Sequence, residues 1–223
     1  MHKTYAQRIT AVLLVALVFS ITLSCNAYRA ERHYQRGIKH LQKGRSAQAV
    51  KEFRRAVHFN PGHTKALFKI ASVYESEGLL EQARGIYQEL MQVDPALADA
   101  ECKMAGVYSR LGQWQDAISC FNSVISKHPA CAEAYYGLAT IYRRQQNNRR
   151  AASAYEKAIE CKALFFEAHY ALSVLYYIEG AFEAARKHAA IAQQHYPSAQ
   201  KLLSLIEEEL QHPSGRVTVS YHQ

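Results

Sequence analysis

The sequence predicts an all-α solenoid of stacked helical hairpins, and three observations carry that expectation. Prolines recur at 61, 95, 129 and 197, steps of 34 residues with one position (Ala163) substituted. In the same period, small and aromatic residues return to fixed places, as in units that stack on one another. The composition fits helices: about half of the 223 residues are apolar, and only five prolines and ten glycines interrupt them.

The elements follow in order. Met1–Arg8 carries Lys3 and Arg8, and Ile9–Tyr28 carries no charge. A basic start followed by an apolar core reads as a secretory signal over residues 1–24. Its close, Thr22-Leu23-Ser24-Cys25, resembles a bacterial lipoprotein signal, with Thr22 where that family usually has leucine. The resemblance implies lipidation of Cys25 as the mature N-terminus. The rival reading is a single transmembrane anchor, for which the Thr, Ser and Asn residues make a poor span. Arginines at 29, 32 and 36 facing Lys3 and Arg8 give it no clean orientation. Residues 25–29 are expected as a short linker, outside the fold.

Five repeats then run over 30–63, 64–97, 98–131, 132–165 and 166–199. Position 8 reads Gly37, Ala71, Ala105, Ala139, Ser173, and position 20 is alanine throughout (Ala49, Ala83, Ala117, Ala151, Ala185). Small residues there let two helices approach closely. Position 11 reads His40, Tyr74, Tyr108, Tyr142, Tyr176, and position 24 reads Phe53, Tyr87, Phe121, Tyr155, Ala189, filling the space between hairpins. In repeat two the helices are expected at Lys65–Glu77 and Leu80–Val93, joined at Gly78 in the left-handed conformation that ends a helix. Gly44, Gly112 and Gly180 match it, whereas repeat four has Gln145-Gln146-Asn147-Asn148 and lacks the terminal proline. The proline at position 32 is expected to stop each second helix. No hairpin buries its apolar face alone; a stack does. Gln200–Gln211 sets leucines and Ile206 against Glu207–Glu209, as a capping helix would, and residues 212–223 read as a flexible tail.

This pattern of small, aromatic, alanine, aromatic and proline resembles the tetratricopeptide repeat over residues 30 to about 199. It departs at position 4, where the family's tryptophan is His33, Leu67, Glu101, Tyr135 and His169. The resemblance implies a right-handed superhelix whose concave groove holds protein or peptide partners. Ligand contacts in the family concentrate at positions 2, 5, 9, 12 and 13. Position 5 here is Tyr34, Phe68, Cys102, Tyr136 and Tyr170, an aromatic ladder that either stacks on a peptide or packs the fold. Positions 12 and 13 add Arg110, Arg143, Arg144 and Tyr177, beside Arg149 and Arg150. These form either a grip for an acidic stretch or a solvated loop. The family's chaperone-binding subclass needs Asn at positions 5, 6 or 9, and none is present.

The net charge is +8, concentrated in repeat one, where eight Lys and Arg face Glu31 and Glu52. Base-stacking aromatics lie elsewhere, which argues against nucleic acid. Apposition to lipid headgroups beside a lipidated Cys25 is the better expectation. The sequence thus points to a membrane-anchored, periplasm-facing lipoprotein of a bacterial envelope, with a single-pass membrane protein as the alternative. The five cysteines have neither metal-site spacing nor the look of a disulfide framework. HExxH, GxSxG, glycine-rich phosphate loops and matched carboxylates are all missing, so no catalytic residue, metal or cofactor is expected. The histidine pairs seven apart, His33/His40 and His188/His195, read as surface residues.

Overall fold

The computed structural model describes the backbone of residues 2–211 and the side chains of residues 22–211. The fold is all-α: five consecutive helical hairpins followed by a further helix. The helices are α1 (His2–Gln42), α2 (Ser46–Phe59), α3 (Thr64–Ser76), α4 (Leu80–Val93), α5 (Ala98–Arg110), α6 (Trp114–Lys127), α7 (Ala132–Arg144), α8 (Asn148–Cys161), α9 (Phe166–Ile178), α10 (Phe182–Ala192) and α11 (Pro197–Gln211). They belong to two compact units divided between Ala100 and Glu101, within the first turn of α5.

Each hairpin is closed by the same turn chemistry. The N–H of position 16 donates to the carbonyl of position 11: Arg45 to His40, Leu79 to Tyr74, Gln113 to Tyr108, Asn147 to Tyr142 and Ala181 to Tyr176, all at 2.8–2.9 Å. That long closing bond needs a left-handed residue at position 15. Gly44, Gly78, Gly112 and Gly180 supply it with φ between 67° and 77°, and Gln146 supplies it at φ 59° in repeat four. The polar turn of repeat four therefore copies the glycine turns. Its missing proline changes as little: α8 still ends at Cys161, with Lys162 N–H on Ala158 and Phe165 N–H on Lys162.

The small positions face the large ones. A Cβ added at Gly37 would drive into the ring of Phe53, and one at Gly137 into Phe121. In the first unit Phe53, Leu67, Ile70, Tyr87 and Leu90 are fully enclosed. In the second, Tyr155, Phe165, Leu172 and Leu175 pack among the alanines of α7 to α9. Leu202, Leu203 and Ile206 of α11 pack on Ala185 and Ala189 of α10, covering the last hairpin.

Two expectations are corrected. Residues 25–29 are not an extended linker, because α1 runs unbroken through them. Cys-Asn-Ala-Tyr-Arg contains neither glycine nor proline to stop a helix. Pro197 does not end α10, which stops at Ala192; it is the first residue of α11, where its missing N–H costs nothing. The capping helix therefore starts three residues before Gln200. The apolar leader lies largely outside the described side chains, and the tail over 212–223 lies outside the described residues. Among the described residues no helix is long and apolar enough to cross a membrane.

Candidate functional site

Position 5 lies on the first helix of each hairpin, and position 34 is the residue that leads into the next. The two meet 29 residues apart. Tyr34 tilts against His63 with ring centroids 5.1 Å apart, and Tyr136 against Phe165 at 5.2 Å. Cys102 and Cys131 occupy the same two positions, with their sulfurs 3.7 Å apart. The ladder residues also reach position 24: Tyr34 to Phe53, Phe68 edge-on to Tyr87, and Tyr136 to Tyr155. Tyr170 stacks almost flat on Tyr196, at 5.6 Å and 5°. All five ladder residues are half-buried. Each one is both a packing residue and a partly open face.

In the first unit the ladder opens into a pocket of ≈ 320 Å³ lined by Tyr34, Thr64, Lys65, Phe68, Lys69, Leu97 and Asp99. Two aromatic rungs form its wall. Lys65 and Lys69, one turn apart on α3, form its cationic rim with Asp99 opposite in sign. Neither lysine nor Asp99 makes an ion pair among the described residues. Burial, and then the charge of Glu31, push the Tyr34 phenol above its ordinary value, so it stays protonated. His63 caps α3: its Nδ1 accepts from Ala66 N–H at 3.2 Å, which puts its proton on Nε2, 3.6 Å from Glu31.

The ladder of the second unit is more enclosed. Burial leads the upward push on Tyr136, with Tyr155, Glu167 and Tyr196 adding to it. Lys162 lies over Phe165 with its Nζ 4.7 Å from the ring centre. At positions 12 and 13, Arg110, Arg143 and Arg144 are exposed, while Tyr177 sits edge-on to Phe182. The Arg144 guanidinium lies 5.8 Å from the Trp114 ring, and Arg150 lies 5.8 Å from Tyr142. Such stacking holds guanidinium planes on aromatic faces while leaving their edges open to an anion.

Three of the position 4 departures make polar pairs that sequence reasoning missed, two with position 23 and one with position 30. His33 meets Glu52 at 2.7 Å, and Glu52 also takes Arg55. Burial would raise the Glu52 carboxyl, but the His33 hydrogen bond and the Arg55 charge outweigh it and hold it below the ordinary range. Glu101, 6 % exposed, accepts from Lys127 at 2.9 Å. His169, 3 % exposed, lies 3.0 Å from the Ala163 carbonyl through Nε2 and 2.8 Å from His188 Nδ1 through its own Nδ1. A carbonyl only accepts, so His169 Nε2 carries its proton and its Nδ1 accepts from His188 Nδ1–H. The reading of His33/His40 and His188/His195 as surface residues is corrected here: His33, His40 and His188 are half-buried, and His188 pairs with the buried His169, not with His195. Positions 4 and 23 lie on the two helices of one hairpin, a relation that helical spacing within one helix does not show.

On α1, Cys25 is exposed and so are Arg29, Arg32, Arg36 and Lys39, with Lys43 exposed one residue past the helix end. Steps of four, three, four and three residues place the first five on one stripe of the helix, and Lys43 follows four residues later in the turn. Arg54 and Arg55 do not join it: Arg54 donates to the Tyr74 hydroxyl at 3.1 Å, and Arg55 pairs with Glu52. Among the described residues no three His, Cys, Asp or Glu side chains converge as metal ligands would.

No curated protein matches the chain. Among solved structures it is similar to PilW, described as a widely conserved type IV pilus biogenesis factor, with 14% identity, 82% of this chain and 86% of that one covered, and a TM-score of 0.69. PilF of Pseudomonas aeruginosa gives 15% identity, 85% and 95% coverage and a TM-score of 0.68. YrrB, a TPR protein with an unusual peptide-binding site, gives 15% identity, 85% and 97% coverage and 0.57. At these identities the likenesses establish the fold. The family model for the tetratricopeptide repeat matches residues 34–98, 102–164 and 139–200, most of the sequence, and the chain accordingly belongs to the tetratricopeptide-repeat family.

Proposed function

We propose that this protein is a non-enzymatic, membrane-tethered scaffold that holds peptide segments of envelope proteins in its ladder groove. The pocket between Tyr34 and Phe68 is the observation that carries the proposal. It offers two aromatic faces, a protonated phenol and two lysines that make no ion pair among the described residues, which suits an extended peptide with an acidic residue. YrrB's peptide-binding site, in a protein of like fold, supports this use of the fold, and the pilus role of PilW supports assembly of an envelope complex.

The tether is a lipid on Cys25. After removal of residues 1–24, Cys25 would stand at the head of the basic stripe of α1, with the repeats over 30–199 and the helix to 211 facing the periplasm. Helical residues 25–29 shorten the reach from lipid to repeat one from about 17 Å to about 7.5 Å. That geometry brings Arg29 and Arg32 to the headgroups, where each contributes about 1 kcal/mol.

Immobilised full-length protein should capture envelope proteins that Lys65→Glu/Lys69→Glu does not, with helicity and melting temperature unchanged. Equal capture by the double variant discards the groove. Metabolic labelling with a fatty acid should mark the parent and not Cys25→Ser; label on both, or on neither, discards the tether.

A further inference from the structure

We propose that Cys102 and Cys131 form an oxidisable pair, a site at which a thiol–disulfide oxidant installs a cross-link from α5 to the start of α7. The argument begins with the repeat itself. Positions 5 and 34 touch within their own repeat as Tyr34–His63 and Tyr136–Phe165. Repeat three places cysteine at both, so the contact that rings make elsewhere becomes a contact between two sulfurs at 3.7 Å. The 29-residue separation hides the pair in the sequence, because disulfide frameworks are read from short, regular spacings.

The surroundings favour closure. Both cysteines are half-buried thiols, reachable by a small reagent yet held against each other. Cys102 lies on the rigid frame of α5. Cys131 is the N-cap of α7, with extended backbone (φ −76°, ψ 93°) and no capping bond from its side chain. Its sulfur makes no capping bond and only a weak one to Glu133, and closure requires a side-chain rotation that shortens the separation by about 1.6 Å to a bonded pair. The Cys131 thiol donates weakly to the Glu133 carboxylate at 4.0 Å, and that carboxylate is also paired with Lys162 at 3.3 Å. The other thiols are placed differently. Cys161 donates to the Pro129 carbonyl at 3.7 Å, and burial, followed by Glu101 and Asp116, pushes the Cys120 thiol up, away from the reactive thiolate.

The reaction balances as two exchanges. One cysteine thiolate attacks a sulfur of the oxidant's disulfide, forming a mixed disulfide and expelling one oxidant thiolate. The second cysteine thiolate then attacks the protein sulfur of that mixed disulfide, forming the Cys102–Cys131 bond and expelling the second oxidant thiolate. The two thiol protons end on the two departing thiolates, and two electrons pass from the protein sulfurs to the oxidant. The inference stands on the geometry of the second unit and is independent of the groove.

The test uses the full chain as Cys25→Ser, so that the exposed thiol of α1 does not compete. The protein is equilibrated with oxidised glutathione or with dithiothreitol, then denatured, tagged with a maleimide polymer and digested for mass spectrometry. Oxidation should remove two of the four remaining thiols. It should also yield the 102–131 linked peptides lighter by two hydrogens. Closing a loop of about 30 residues should raise the melting temperature by about 5–10 °C. Cys102→Ser, Cys102→Ala and Cys131→Ser should each abolish the link and the shift, and Cys161→Ser should abolish neither. Four reactive thiols after oxidation, glutathione left on either cysteine, or a link to Cys161 or Cys120 would each overturn the proposal.

Discussion

The His169–His188 pair shows how one proton ties stability to pH. Burial first, then the neighbouring His169 and Lys187, push His188 down to about 4, against an ordinary value near 6.5. Between those values the unfolded chain binds more protons than the folded one, so stability falls as pH falls through that window and is fully present above it. His188 is partly open to solvent, which discounts the effect, and a loss of a few degrees in melting temperature between pH 7.5 and pH 5 is expected. His188→Gln keeps a donor for His169 without titrating, and should flatten that slope; an unchanged slope would locate the sensitivity elsewhere. A second residue-scale test is Ala117, fully enclosed at position 20 of repeat three. Ala117→Leu overpacks a close helix contact and should cost about 1–3 kcal/mol in chemical denaturation. A melt equal to the parent's would mean that position 20 is not a contact.

The hairpin turns make the element-scale prediction. Gln146 holds φ 59° where four other repeats use glycine. A side chain there is strained, so Gln146→Gly should stabilise the protein by about 0.5–1 kcal/mol, and Gly112→Ala should destabilise it by a similar amount. Opposite signs in thermal melts are the check. These turns were legible in the sequence, since glycine at position 15 and aromatic or small residues at positions 8, 11, 20 and 24 repeat with the period. So were the bounds of α4, expected and observed at Leu80–Val93, while α3, expected at Lys65–Glu77, runs one residue earlier at each end, Thr64–Ser76. Periodicity names the columns of a repeat without saying which columns touch. For that reason the ladder residues were identified while their partners at position 34 were not. The same blindness hid His169 behind His188 and Glu101 behind Lys127, pairs 19 and 26 residues apart. The unbroken course of α1 was missed for a different reason: an apolar leader and a basic amphipathic helix look like separate segments, yet nothing between them stops a helix.

For the molecule as a whole, charge sits where it can set orientation. Arg32, Arg36 and Lys39 share the exposed stripe of α1 with Cys25, Lys43 follows directly after its last residue, and the four make no ion pair among the described residues. Arg54 and Arg55 have partners within the fold, so reversing them would test stability rather than surface charge. With the lipid proposed on Cys25, reversing these four residues to glutamate should leave the protein in the membrane fraction, because acyl chains anchor without help from charge. It should nevertheless alter protease access to repeats one and two, most clearly at low salt, where surface electrostatics act furthest. Release into the soluble fraction would show that charge, and not lipid, is the anchor; unchanged access would leave the stripe without a membrane role.

The meeting of positions 5 and 34 also fixes how such a chain can be lengthened or rearranged by duplication. A segment copied with its border after position 34 carries both halves of its own contact, Tyr34 with His63 or Tyr136 with Phe165, into any new neighbourhood. A border drawn two residues earlier, after the conspicuous proline, strands the first partner and hands the second to a stranger. Lineages that shuffle these modules should therefore break between His63 and Thr64, or between Phe165 and Phe166, and not at the prolines that first make the period visible.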